Sequence, residues 1–199
     1  HKNRWGGYVF NGPDRSVPER LRNAMLRRLK SDVLTELPPK TYETMMLSRD
    51  TLGPSLLNSL DSAWGEWASS SPTPALPAFE ELSKTRQALA AARIKPMLDF
   101  VSDFEESNEA LLVFSAHRAP IVALGERSGW GVIYGDTPIP ERTRLVEEFQ
   151  AGRLIGLACT IQTGGVGLTL TRAATVLFVD LDWTPANNVQ AEDRVHRIG

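Results

Sequence analysis

Residues 110–160 read ALLVFSAHRAPIVALGERSGWGVIYGDTPIPERTRLVEEFQAGRLIGLACT, and this stretch decides the fold. Ala110 to Ser115 is a continuous apolar run of strand length, with no polar alternation that would leave one face in water. The spacing predicts a helix over 117–128, a strand over 131–134 and a helix over 140–150. Gly152 stands where a left-handed residue would close that second helix. A third strand, 154–160, leads into a glycine-rich turn. Working outward, a fourth strand is expected over 175–180, followed by a last helix opened by Thr184-Pro185, an N-cap residue and a first-turn proline.

Strands buried on both sides and alternating with helices imply an α/β fold, a parallel sheet with helices on both faces. Ligands of such sheets sit at the carboxyl ends of the strands. Ser115 to Arg118, Gly135-Asp136, Thr160 to Leu168 and Asp180 to Pro185 therefore form one candidate edge.

The chain before residue 110 is less regular. Residues 1–17 are rich in Gly, Asn and Pro, with Trp5 and Tyr8 as expected anchors. From Pro18 the apolar residues Leu21, Met25, Leu26, Leu29, Val33 and Leu34 share one helical face, and Pro38-Pro39 ends the element. Residues 41–47 suggest a short strand, and 52–68 a helix carrying Trp64 and Trp67. Residues 69–77 have the composition of a linker. A helix over 79–104 should break near Pro96. The expected division is 1–49, 50–78 and 79–199.

The balance of 42% hydrophobic and 23% charged residues is that of a globular protein with one sizeable core. No apolar run approaches the ~20 residues of a membrane-spanning helix. The single cysteine, Cys159, excludes an internal disulfide framework and a multi-cysteine zinc site, and fits a reducing intracellular compartment. Residues 1–49 hold ten Lys and Arg against five Asp and Glu, whereas residues 50–199 hold twelve against nineteen. A basic segment beside an acidic body points to a local anionic contact. Arginine makes up seventeen of the twenty-two basic residues, which leans toward a GC-rich bacterial genome. The chain starts at His1 and stops inside a motif, as a piece of a longer protein would.

Two segments carry candidate chemistry. In a helix running through Gln190 to Ile198, Gln190, Arg194 and Arg197 fall at i, i+4 and i+7 on one face. The planar arginine fork matches phosphate oxygens and stays charged. Read alone, this stretch fits a solvated helix as well. Thr163-Gly164-Gly165-Val166-Gly167 lacks the Cβ atoms that would keep a phosphate from the main chain, though an ordinary tight turn would look the same. No Gly-Lys pair follows, so this is not a Walker A loop, and no acidic metal-binding box ends a strand. Nucleotide hydrolysis cannot be complete within these residues.

Taken together and in order, the segments resemble the second RecA-like lobe of Swi/Snf-type DNA-dependent ATPases, in helicase superfamily 2. Arg27-Arg28-Leu29-Lys30-Ser31-Asp32-Val33-Leu34 with Leu37-Pro38-Pro39-Lys40 resembles the brace joining the two lobes. Leu111 to Ser115 resembles motif IV, and Gly135-Asp136-Thr137 with Arg142 and Phe149 the signature after it. Thr160 to Leu170 resembles motif V; Asp182 to Pro185 with Gln190 to Gly199 resembles motif VI. Thr184 and Thr169 replace the usual Asn and lean toward the annealing-helicase (HARP-like) branch.

The resemblance implies a motor lobe with ATP and Mg²⁺ held mainly by an N-terminal RecA-like lobe of the same protein. It assigns Arg194 and Arg197 to catalysis, Gln190, Gly165 and Gly167 to the nucleotide, and Ser115, His117, Arg118, Thr163 and Gly164 to double-stranded DNA. His117 could equally cap a helix, and His196 reads as structural. The expected setting is a bacterial cytoplasm or nucleoid, or a eukaryotic nucleus. Two other readings stay open: a non-catalytic DNA- or protein-binding module, and a translocase acting on RNA polymerase or a restriction complex.

Overall fold

The computed structural model describes residues 16–26, 30–34, 36–69, 79–164 and 169–197. It divides into two compact units, residues 1–39 and 40–199. The first holds α1 (Ser16–Ala24) and α2 (Lys30–Val33). The single helix expected from Pro18 to Leu34 does not form, since α1 ends at Ala24. Leu21, Met25 and Leu26 stay exposed, so the packed apolar face that sustains a helix of this length is missing. Trp5, Tyr8 and the paired Arg27-Arg28 lie outside the described residues.

The second unit opens with extended chain that pairs with no strand, so the expected strand over 41–47 is absent. Tyr42, Met45, Met46 and Leu47 are exposed there, and β-forming residues without a ladder partner do not make a strand. A 3₁₀ turn, Arg49–Thr51, precedes α3 (Pro54–Ser69), close to the expected helix. The linker after it lies outside the described residues, as do the side chains of Trp64 and Trp67. Then come α4 (Phe79–Ala92) and α5 (Ile94–Ser107). The break at Arg93 sits three residues before Pro96. Proline has no N–H for the carbonyl four residues back, and its ring crowds that carbonyl.

The sheet consists of β1 (Leu111–Ser115), β2 (Trp130–Ile133), β3 (Gly156–Thr160) and β4 (Thr175–Phe178). Its order is β2-β3-β1-β4 and every pairing is parallel. The connecting helices are α6 (Arg118–Gly125), α7 (Ile139–Gln150), the short α8 (Ile161–Gly164) and, after β4, α9 (Pro185–Glu192). All five residues of β1 are buried, but successive side chains serve opposite faces. Leu112 and Phe114 join Leu145, Phe149, Leu157 and Ala191 in one cluster. Leu111 and Val113 join Met97, Val101, Ile121 and Leu124 in the other. Burying each large aliphatic or aromatic side chain contributes about 1.5–3 kcal/mol, so both helix layers are needed. The α/β fold with a doubly covered parallel sheet follows.

Gly152, at φ +78°, closes α7 as its position suggested. Its N–H bonds to Phe149 O at 3.1 Å and the Arg153 N–H to Glu148 O at 2.9 Å, the pattern of a Schellman close. No helix among the described residues is long and apolar enough to cross a membrane.

Candidate functional site

Because the strands are parallel, their carboxyl ends share one edge. Ser115 pairs with Thr160 in register, Ile133 with Cys159, and Phe114 with Phe178. Ser115, His117 and the segment after β4 meet through Asp180, which is 7% exposed. The Asp180 carboxylate accepts the Ser115 hydroxyl and the Nδ1–H of His117. Ser115 Oγ in turn accepts the His117 main-chain N–H at 3.0 Å. Ser115 is fully buried and its hydroxyl is used within this knot, so it positions His117 rather than facing a ligand. His117 is the N-cap residue of α6 without a side-chain capping bond; its imidazole turns to Asp180 instead. With Glu80, Ser83, Lys84 and Gln87 of α4, His117 lines an open cavity of about 550 Å³.

Arg118 is half exposed, lies 4.1 Å over the Tyr134 ring and donates to Asp136 at 2.7 Å. The loop bearing Asp136 is held by Arg142, which donates to Thr137 O at 2.7 Å and Gly135 O at 2.9 Å. Thr137 Oγ1 accepts the Tyr134 N–H at 3.0 Å. Arg142 and Thr137 therefore shape this loop, and Arg118 with His117 presents its outer surface.

Thr163, at the end of β3 and α8, bonds through Oγ1 to Thr160 Oγ1 at 2.8 Å. Gly164 is buried, and a Cβ there would lie 2.5 Å from Phe114 Cε1 and 2.9 Å from Cys159 Cβ. Close packing on β1 and β3 explains this glycine, in place of the open main chain that the sequence suggested. Gly165 and Gly167 lie outside the described residues. Burial pushes the Cys159 thiol up to about 12, against a small opposing effect from Arg142, so it is an inert core side chain.

Thr169 and Leu170 meet the segment that follows α9. Leu170 N–H bonds to Arg194 O at 3.1 Å, and Arg197 Nη1 to Thr169 Oγ1 at 3.3 Å. Arg197 Nε bonds to Asp193 O at 2.9 Å. These contacts correct the expected continuous helix. α9 stops at Glu192, and Arg194 N–H and Val195 N–H bond three residues back, to Ala191 O and Glu192 O. Leu170 and Arg197 occupy the carbonyls that a longer helix would use. Gln190 remains on the last helical turn, exposed, while both arginines lie on the turns beyond it. Burial, then the neighbouring Arg197 guanidinium, lowers the Arg194 pKa from its ordinary value, partly offset by Asp193. Two cations crowding one turn favour an anion between them.

Thr184 is the N-cap residue of α9, but Asp182 does the tying. Its carboxylate accepts the Thr184 N–H at 2.8 Å and the Asn187 amide at 3.0 Å. Burial opposes its ionised form, yet these bonds, Gln162 and the Arg86 charge outweigh it and hold Asp182 below the ordinary value. Arg86 also donates to Leu181 O and lies 4.0 Å over the Trp183 ring, anchoring α4 to this loop.

Sequence reasoning placed Asp180 on the candidate edge and Lys40 in the brace but assigned neither a role of its own. Asp180 left a signal, a lone carboxylate at the end of an apolar strand; the partners of Lys40 are some 150 residues away and left none. Among the described residues no three His, Cys, Asp or Glu side chains converge on a metal position. The cationic pair Arg194 and Arg197 suits an anion, not a cation.

Residues 92–199 match the family described as helicase conserved C-terminal domain. The mouse DNA annealing helicase and endonuclease ZRANB3 is 33% identical over 190 residues, which are 90% of this chain and 18% of that protein. The Xenopus tropicalis SWI/SNF-related matrix-associated actin-dependent regulator of chromatin subfamily A-like protein 1 is 33% identical over 189 residues, 88% of this chain and 19% of that one. The chain thus spans under a fifth of these relatives' length. The Sulfolobus solfataricus SWI2/SNF2 ATPase core shares the fold, with a TM-score of 0.56 at 15% identity over 92% of this chain and 44% of that one.

Proposed function

The chain belongs to the helicase conserved C-terminal domain family, and from that premise we propose that it is the second motor lobe of an ATP-dependent double-stranded DNA translocase. The observation that carries this reading is the meeting of Thr169 and Leu170 with Arg197 and Arg194. It ties the residues just after the glycine-rich segment to the two arginines, as a lobe that links nucleotide state to DNA grip requires. Residues 1–49 then act as the brace from a preceding lobe, 50–78 as a connection, and 79–199 as the lobe itself.

ATP would supply the phosphoryl group and, with Mg²⁺, be held mainly by the first lobe. Arg194 and Arg197 would approach its terminal phosphate as arginine fingers, with Gln190, Gly165 and Gly167 beside it. An arginine there stabilises charge that develops in the transition state and can be worth ~10³ or more in rate. His117, Arg118 and Thr163 would lie along the DNA backbone, with Ser115 behind His117 and Gly164 packed against Phe114 beneath them. Such binding is salt-sensitive and largely independent of sequence. The setting we propose is DNA repair, remodelling or replication-fork processing; the ZRANB3 relative is named a DNA annealing helicase and the other a regulator of chromatin.

The test is DNA-stimulated ATP hydrolysis by the full-length protein. Arg197→Ala should lower kcat by ~10² or more with the fold retained. Unchanged turnover would remove this arginine from the mechanism, whereas no turnover in the unaltered full-length protein would favour the non-catalytic binding module.

A further inference from the structure

Two carboxylates, Glu192 and Asp193, immediately precede the arginine pair in the chain. Asp193 stands four residues before Arg197, whose Nε bonds to its main-chain O at 2.9 Å, so its carboxylate is a neighbour of that guanidinium. An arginine captured by such a neighbour would meet an anionic ligand with its charge already spent. Arg197 is not captured. Among the described residues its side chain bonds to neutral oxygens, the main-chain O of Asp193 and the hydroxyl of Thr169.

Lys40 accounts for this. Its Nζ donates to Glu192 Oε2 and to Asp193 Oδ1, both at 3.1 Å, with only a quarter of the lysine side chain exposed. The Tyr42 hydroxyl donates to the same Glu192 oxygen at 3.0 Å. Burial lowers the Lys40 pKa, but the bonds and charges of Glu192 and Asp193 outweigh it and raise the value, so the ammonium stays charged. The Tyr42 hydroxyl is likewise raised, chiefly by its bond to Glu192.

We propose that Lys40 is a positioning residue for the arginine pair: it occupies the Glu192 and Asp193 carboxylates, so that Arg197 keeps its guanidinium for an anionic ligand. This rests on the reading of Arg197 as a catalytic arginine. It also makes the segment ahead of the lobe an input to catalysis. Any motion that draws Lys40 away would release two acids onto the arginines and slow turnover.

The test uses the full-length protein with saturating duplex DNA. Lys40→Ala should lower kcat for ATP about tenfold, with KM for ATP changed by less than about twofold, because the loss falls on transition-state charge. Lys40→Arg should recover most of the turnover. The decisive variant is Lys40→Ala combined with Glu192→Gln and Asp193→Asn, which removes the competing acids as well. Recovery to within about threefold of the unaltered protein supports the proposal. A triple variant as slow as Lys40→Ala, or a Lys40→Ala protein with unaltered kcat, overturns it. Should Lys40→Ala not fold, Glu192→Gln/Asp193→Asn alone decides, because it leaves Arg197 without acidic rivals and should keep turnover within about threefold. Loss of about tenfold in that variant overturns the proposal. Arg197→Ala is the control: if it too is fully active, the arginine reading has failed, not the Lys40 assignment alone.

Discussion

The Asp180 carboxylate accepts the Ser115 hydroxyl across the carboxyl edge of the sheet, joining the end of β1 to the chain leaving β4. Both residues are buried, and His117 binds the same carboxylate through Nδ1. One acid therefore fixes the edge from which His117 and Arg118 project. Asp180→Ala should cost about 1–3 kcal/mol, since it leaves the Ser115 hydroxyl in the interior without its acceptor. Urea unfolding measures it, and an unaltered midpoint at unaltered slope would refute the role.

A second acid ties the opposite face. Glu105 on α5 accepts Arg127 Nε and Trp130 Nε1, each at 2.8 Å, and Arg127 also reaches Ser102 Oγ at 3.0 Å. The Arg127 bond, against burial and with help from Trp130, holds the Glu105 pKa below its ordinary 4.5. A depressed carboxylate pKa stabilises the fold above the unfolded value and loses that contribution as pH falls through the folded one. Glu105→Gln should therefore lower stability at pH 7, and the gap should shrink below pH ~4. Unfolding curves at both pH values test this; an equal gap would exclude the ionised pair as its source.

How far the sequence could be read shows at the glycines and prolines. Gly152 and Pro96 act through their own backbone geometry, so a helix end and a helix break were legible from residue type alone. The strands were legible because both faces are buried, which leaves continuous apolar runs. The end of α9 was not, since the Leu170 N–H that takes Arg194 O comes from a distant segment. The carboxyl edge of the sheet was legible too, but the knot at Asp180 and the Lys40 contacts were not.

Gly164 was misread for the same reason. Its lack of a side chain answers to Phe114 and Cys159, which only the folded sheet brings near. Gly164→Ala should destabilise the lobe by about 1–3 kcal/mol through overpacking. A ligand-facing role alone would leave the unfolding midpoint unchanged.

Arg118 offers a test of the DNA edge. It is half exposed on Tyr134, with Asp136 at 2.7 Å as a screened surface partner of small energetic weight. Arg118→Ala in the full-length protein should weaken duplex binding alike for unrelated sequences. It should also reduce the slope of log K against log salt by about 1. Fluorescence anisotropy over a salt series measures both; an unaltered slope would take Arg118 off the phosphate path.

Arg194 and Arg197 provide the sharpest test of shared action. Burial, and after it the Arg197 guanidinium, lowers the Arg194 pKa against a raising effect of Asp193, so the two cations act on one another. If both neutralise the same developing charge, their losses cannot multiply. Arg194→Ala and Arg197→Ala should each lower kcat by ~10² or more, and the double variant should fall little further. Single-turnover ATP hydrolysis by the full-length protein separates this from slow product release. A double variant slower by the product of the single losses would assign the arginines to independent steps, one at the phosphate and the other elsewhere.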